Sequence, residues 1–117
     1  MGRRQRRRQS SDAPASTRDY VDDEGNVLTL REELSPGALR ELRSLAERPA
    51  ATAEDRWQRR AELLFERLAV SWTIAGLPLT GQRELLGRYR LADEATRQWV
   101  RGTLDVHVRE HLPEAVA

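Results

Sequence analysis

The segment His107-Val-Arg-Glu110-His111 carries the two imidazoles and the carboxylate of the H-x-x-E-H pattern. In that pattern histidines at i and i+4 share one helical face and bind zinc, while the glutamate serves as base. The chemistry needs a third ligand. Only six residues follow His111, and Glu114 lies too near in sequence to fill that role. Both histidines are therefore expected at the polar border of a last helix, near its negative end, where partial protonation is mildly favourable. The chain contains no cysteine, which removes a disulfide framework, a cysteine zinc site and a thiol nucleophile together. No Gly-rich phosphate loop, Ser/His/Asp set or pair of buried carboxylates can be assigned. No catalytic, metal or cofactor-binding residue is expected, and the chain reads as a binding protein, not an enzyme.

Two further motifs concern partners. Leu77-Pro78-Leu79-Thr80-Gly81 matches the L-P-x-T-G sorting pattern, but an arginine-bearing amphipathic stretch follows where a membrane segment is needed. Pro78 as helix stop and Thr80 as helix cap account for it better. Arg3, Arg4, Arg6, Arg7 and Arg8 resemble arginine-rich RNA-binding peptides. Five guanidiniums on one arm attract phosphate strongly at low salt and much less at physiological salt. The first aromatic is Tyr20, so the arm has no platform for base stacking. The default is a solvated, solubilising tail that touches nucleic acid non-specifically.

These charges are unevenly placed along 117 residues whose formal net charge is only +1. Residues 1–18 hold six arginines against Asp12, a charge of +5, and the remainder holds fourteen arginines against eighteen acids, a charge of −4. All twenty basic residues are arginine, which reads as the codon bias of a GC-rich bacterial or viral genome. The apolar-leaning run from Leu68 to Leu79 is too short to span a bilayer. Residues 1–18 lack the apolar segment of a secretory signal, and Arg6 breaks the myristoylation pattern. A cytoplasmic protein without membrane attachment is expected.

The elements follow from periodicity and punctuation. Residues 1–18 cannot bury enough surface to offset their ordering entropy and are expected to be disordered. Tyr20-Val21 and Val27-Leu28-Thr29-Leu30 flank an acidic, Gly-containing turn, which predicts a β-hairpin appendage over 19–34. Ser35-Pro36 starts a helix with the stripe Leu39, Leu42, Leu45 and Ala46, stopped by Pro49. Thr52 caps a third element, with Glu54 and Asp55 in its first turn and Gly76 at its far end. Trp57, Ala61, Leu64, Phe65, Leu68, Trp72 and Ala75 fall on one face of that helix, and Leu63, Val70 and Ile74 on another. A helix that is apolar on most of its circumference is the centre of a bundle or meets a partner. Thr80 caps a short helix carrying Leu85, Leu86 and Tyr89, and Asp93 caps a last helix ending near Leu112 before Pro113. The expectation is a mainly α fold. It consists of a small bundle of about four helices over 35–113, a short N-terminal hairpin, a disordered Arg-rich tail and a short tail over 114–117.

Several of these segments together resemble a known family. They are Tyr20-Val-Asp-Asp-Glu-Gly-Asn-Val-Leu, the W-x5-L-L-F-E-R-L-x3-W-x-I-A-G run over 57–76, Pro78, and Glu84-Leu-Leu-x-Arg88-Tyr89. Arg97-x-Trp99-Val100-Arg101-x2-Leu104 and His107 complete the set. Over residues 20–112 the chain resembles the tail assembly chaperones of long-tailed phages and prophages of GC-rich bacteria, in their short form. The resemblance implies a helical accessory factor in the host cytoplasm. It would bind the tape measure protein and other tail assembly proteins during tube assembly, with self-association as a further option. Tape measure helices are amphipathic, and a helical module with surplus apolar surface can cover them. The expected contact residues are Trp57, Leu63, Val70, Ile74 and Leu77. The alternatives are an Arg-arm nucleic-acid-binding protein and a structural head or tail completion protein.

Overall fold

The computed structural model describes residues 16–49 and 52–113. Asp22 organises the first turn. Its carboxylate accepts the backbone N–H groups of Glu24 and Asn26 at 2.8 and 2.9 Å and the Asn26 side-chain amide at 3.0 Å. Gly25 supplies the left-handed residue, φ 82°, that the turn requires. Strands β1 (Thr17–Val21) and β2 (Val27–Arg31) therefore pair antiparallel, with Tyr20 opposite Leu28.

Three of the predicted caps start three of the helices. Ser35 accepts from the Ala38 N–H at 3.1 Å and opens α1 (Pro36–Glu47). Thr52 accepts from Asp55 at 3.0 Å and opens α2 (Ala53–Leu68). Asp93 accepts from Thr96 at 2.8 Å and opens α4 (Glu94–His111). Each such cap is worth about 1 kcal/mol. The fourth helix, α3 (Gln82–Leu91), starts from Gly81 without a side-chain cap, so Thr80 does not have the capping role expected of it. Within α1, Ala38 and Leu42 are buried while Ala46 is exposed, so the inward stripe lies to one side of the one expected.

The third element is where expectation and structure part. The helix ends at Leu68 and the chain passes directly into β3 (Ala69–Ile74), then into β4 (Leu77–Leu79). Val70, Trp72 and Ile74 recur every second residue and are β-branched or aromatic, which suits a strand as well as it suits a helix. Pairing with β2, Leu28 opposite Trp72 and Val27 opposite Thr73, decides between them. Ala75 and Gly76, at φ 52° and 81°, form the two-residue turn of a tight hairpin. Gly76 thus closes a hairpin and not a helix. Pro78 stands opposite Thr73 in the edge strand β4, a position that tolerates its missing N–H.

Among the described residues the result is a four-stranded antiparallel sheet in the order β1-β2-β3-β4, larger than the hairpin appendage expected, together with four helices. The hairpin is not peripheral, because Leu28 and Leu30 are wholly buried. They join Leu64, Phe65 and Leu68 of α2, Leu85 and Tyr89 of α3, and Val100, Leu104 and Val108 of α4 in one core. Phe65 stacks on Tyr89 at 5.0 Å and meets Trp72 edge-on at 5.7 Å. Among the described residues no helix is long and apolar enough to cross a membrane.

Candidate functional site

Helices α1, α2 and α3 leave a groove of about 830 Å³ between them. Leucine chains from all three reach it: Leu45 from α1, Leu63 from α2 and Leu86 from α3. Each is half-buried, because each lies one step round its helix from a residue committed to the core (Leu42, Leu64 and Leu85). The rest of the lining is polar and mostly charged. Gly37, Arg40, Glu41, Ser44 and Arg48 come from α1 and its C-cap, Arg59, Glu62 and Glu66 from α2, and Arg90 from α3.

Ion pairs hold the walls at fixed separation. Arg67 Nη2 meets Glu41 Oε1 at 2.7 Å, joining α2 to α1. Arg90 donates to Glu62 Oε1 at 2.8 Å through Nη2, joining α3 to α2, and that carboxylate raises the guanidinium pKa further above its ordinary range. Arg59 pairs with Asp55 at 2.9 Å and donates to the Pro49 carbonyl at 3.2 Å, tying α2 to the segment after α1. Exposed pairs of this kind contribute little to stability singly, but two of them, with the Arg59 hydrogen bond to Pro49, connect the three helices that line the cleft. An apolar floor with a charged rim is the anatomy of a site for an amphipathic helix.

Of the five contact residues expected, only Leu63 is in the groove. Trp57 sits four residues before Ala61 on the buried side of α2, at its exposed end, and remains 36% accessible. Val70 lies where the β2–β3 register shifts from Thr29 opposite Ser71 to Leu30 opposite Ala69, and Ile74 packs against the core. Leu77, 74% accessible, stands on β4. The second apolar face of a long helix is therefore not present as such, since its members are divided between a helix, a strand and an edge. The arginines Arg3, Arg4, Arg6, Arg7 and Arg8 lie outside the described residues.

Sequence reasoning missed Leu86, Arg40 and Arg48, and it placed Leu45 in a stripe without a destination. The available signal was the surplus of leucines in the Leu42/Leu45, Leu63/Leu64 and Leu85/Leu86 sets. One member of each set is buried and the other is left half-buried, Leu63 and Leu86 packing against the core from its edge.

The histidine motif resolves as structure. His107 is wholly buried, not at a polar border. The Tyr20 hydroxyl lies 2.7 Å from Nδ1, and Nε2 lies 2.6 Å from the Arg31 carbonyl oxygen. A carbonyl only accepts, so Nε2 carries the proton and Nδ1 accepts from Tyr20. Burial, and the neighbouring His111, hold the His107 pKa below its ordinary value, while the Arg31 carbonyl and nearby carboxylates oppose the shift. Both ring nitrogens are thereby occupied. His111 turns to Glu32, with Nδ1 at 3.5 Å, and Glu110 is exposed. Among the described residues no three His, Cys, Asp or Glu side chains are grouped to hold a metal ion. In comparison with known proteins the chain matches no family model, no curated protein and no solved structure.

Proposed function

We propose that this chain is a tail assembly chaperone that holds an amphipathic helix of the tape measure protein in the groove between α1, α2 and α3. The groove carries the reading: three half-buried leucines from three helices, set inside a charged rim, are an unfilled counterpart to one apolar helix stripe. The segment resemblance over 20–112 supplies the client. The surplus apolar surface that a chaperone needs is thus supplied by Leu45, Leu63 and Leu86, not by a second face running to Ile74. Covering the client's leucines and then releasing them is compatible with a shallow site, because a deep one would retain the helix after assembly.

Co-expression tests the proposal. A tape measure fragment that precipitates alone should remain soluble with the wild-type chain. With Leu63→Asp it should return to the pellet, while the variant itself keeps its helical circular dichroism. Leu77→Asp, which changes an exposed residue on β4, should protect the client as the wild type does. Equal protection by Leu63→Asp would defeat the proposal.

A further inference from the structure

The two sides of the groove differ in charge. Arg40 and Arg48 stand eight residues apart on α1 and at its C-cap, and among the described residues neither has an ion-pair partner. At a rise of about 1.5 Å per residue their Cα atoms lie roughly 12 Å apart along the helix. On the opposite side Arg90 is already engaged by Glu62, and Glu66 adds a carboxylate with no ion pair. The α1 wall therefore carries two guanidiniums without an ion pair, its Glu41 being engaged by Arg67, whereas on the other wall both arginines, Arg59 and Arg90, are engaged by Asp55 and Glu62, and Glu66 is left without an ion pair.

We infer that the groove selects an amphipathic helix with one acidic flank, whose carboxylates, seven or eight residues apart, face Arg40 and Arg48 while its apolar stripe meets the leucine floor. The inference rests on the proposed helix-holding role and adds the chemistry and the direction of the occupant. A helix laid along α1 presents residues i, i+7 and i+8 to one wall. Two glutamates at that spacing meet both arginines at once, whereas two lysines there meet uncompensated positive charge. A basic residue on the far flank would meet Glu66. Charge complementarity at a rim chiefly sets orientation and the rate of encounter, with a modest gain in affinity.

Fluorescence anisotropy with the full chain tests the inference. Two labelled helical peptides share one leucine stripe and differ only in carrying glutamates or lysines, seven residues apart, on one flank. The glutamate peptide should bind about fivefold tighter at low salt, as two exposed ion pairs allow, and the difference should shrink as salt rises. Residues 1–18 also attract acidic peptides, so the preference must follow the groove. Arg40→Glu with Arg48→Glu should reverse it while the Arg-rich segment is intact. Should that variant fail to fold, Arg40→Gln with Arg48→Gln should abolish the preference. Binding of both peptides with equal affinity, or a preference unchanged by these substitutions, overturns the inference and leaves the helix-holding role standing. Binding of neither peptide overturns both.

Discussion

His107 joins three elements through two hydrogen bonds. It projects from α4, accepts from Tyr20 of β1 and donates to the carbonyl of Arg31 at the end of β2. That geometry needs the neutral ring, and burial favours the same form. The folded pKa lies below the ordinary 6.5, so as pH falls the unfolded chain takes up the proton first. The contribution to stability is therefore complete above about pH 6.5 and declines as pH drops from there toward the lower folded value. Urea midpoints measured at about pH 7.5 and about pH 5.5 should show wild-type stability falling with acidification. His107→Gln, whose amide can still donate to Arg31, should be less stable at the higher pH but should lose less on acidification. An unchanged slope in that variant would assign the pH dependence elsewhere. The spacing of Val100, Leu104, His107 and Val108 on one helical stripe was the sequence signal for this burial. Histidine is intermediate in burial among residue types, so that stripe alone does not place it inside.

At the scale of elements, the consequential boundary is that between α2 and β3. Helical caps are local: Ser35, Thr52 and Asp93 each satisfy an amide three residues on, and all three are legible without any tertiary information. The β3–β4 hairpin is legible only in part. Ala75 is the sole non-glycine described with positive φ, and its N–H donates to the Asn26 side chain at 3.0 Å, linking the two hairpin turns at one end of the sheet. A Cβ in the left-handed region costs roughly 1 kcal/mol, and asparagine tolerates that region better than alanine does. Ala75→Asn should accordingly stabilise the protein by about 0.5 to 1 kcal/mol, and Ala75→Val should destabilise it by about 1 kcal/mol or more. Since Ala75 is exposed, packing does not complicate the comparison. Thermal midpoints of the two variants in opposite directions would verify the turn, and a helical 69–76 segment would give the reverse order for asparagine.

For the whole molecule, the question is how the basic segment relates to the body. Strand β1 begins at Thr17, so the last residues of the segment 1–18, expected to be disordered, belong to the sheet, and a clean deletion ends at residue 15. Removing residues 1–15 takes away Arg3, Arg4, Arg6, Arg7 and Arg8 and leaves every described element in place. The helix-holding role predicts that the shortened chain still keeps its client soluble. The five arginines predict a weak association of the full chain with RNA or DNA that is steep in salt, and the deletion should remove it. Loss of client binding on the same deletion would favour the nucleic-acid-binding reading and would remove the groove from consideration.

What the sequence determined by itself is the local part: helix starts at Ser35, Thr52 and Asp93, the first turn around Asp22 and Gly25, the uneven charge, and the inward stripe Ala61, Leu64, Phe65 and Leu68. These depend on hydrogen bonds and side-chain spacing within a few residues. The tertiary structure decided whether 69–79 forms helix or sheet, because the deciding contact is Leu28 against Trp72, residues 44 positions apart. It also decided that His107 is internal and that Leu45, Leu63 and Leu86 share a groove, since each depends on elements distant in the chain meeting in space. An apolar pattern records that a side chain needs cover; only the packed fold shows which neighbour provides it.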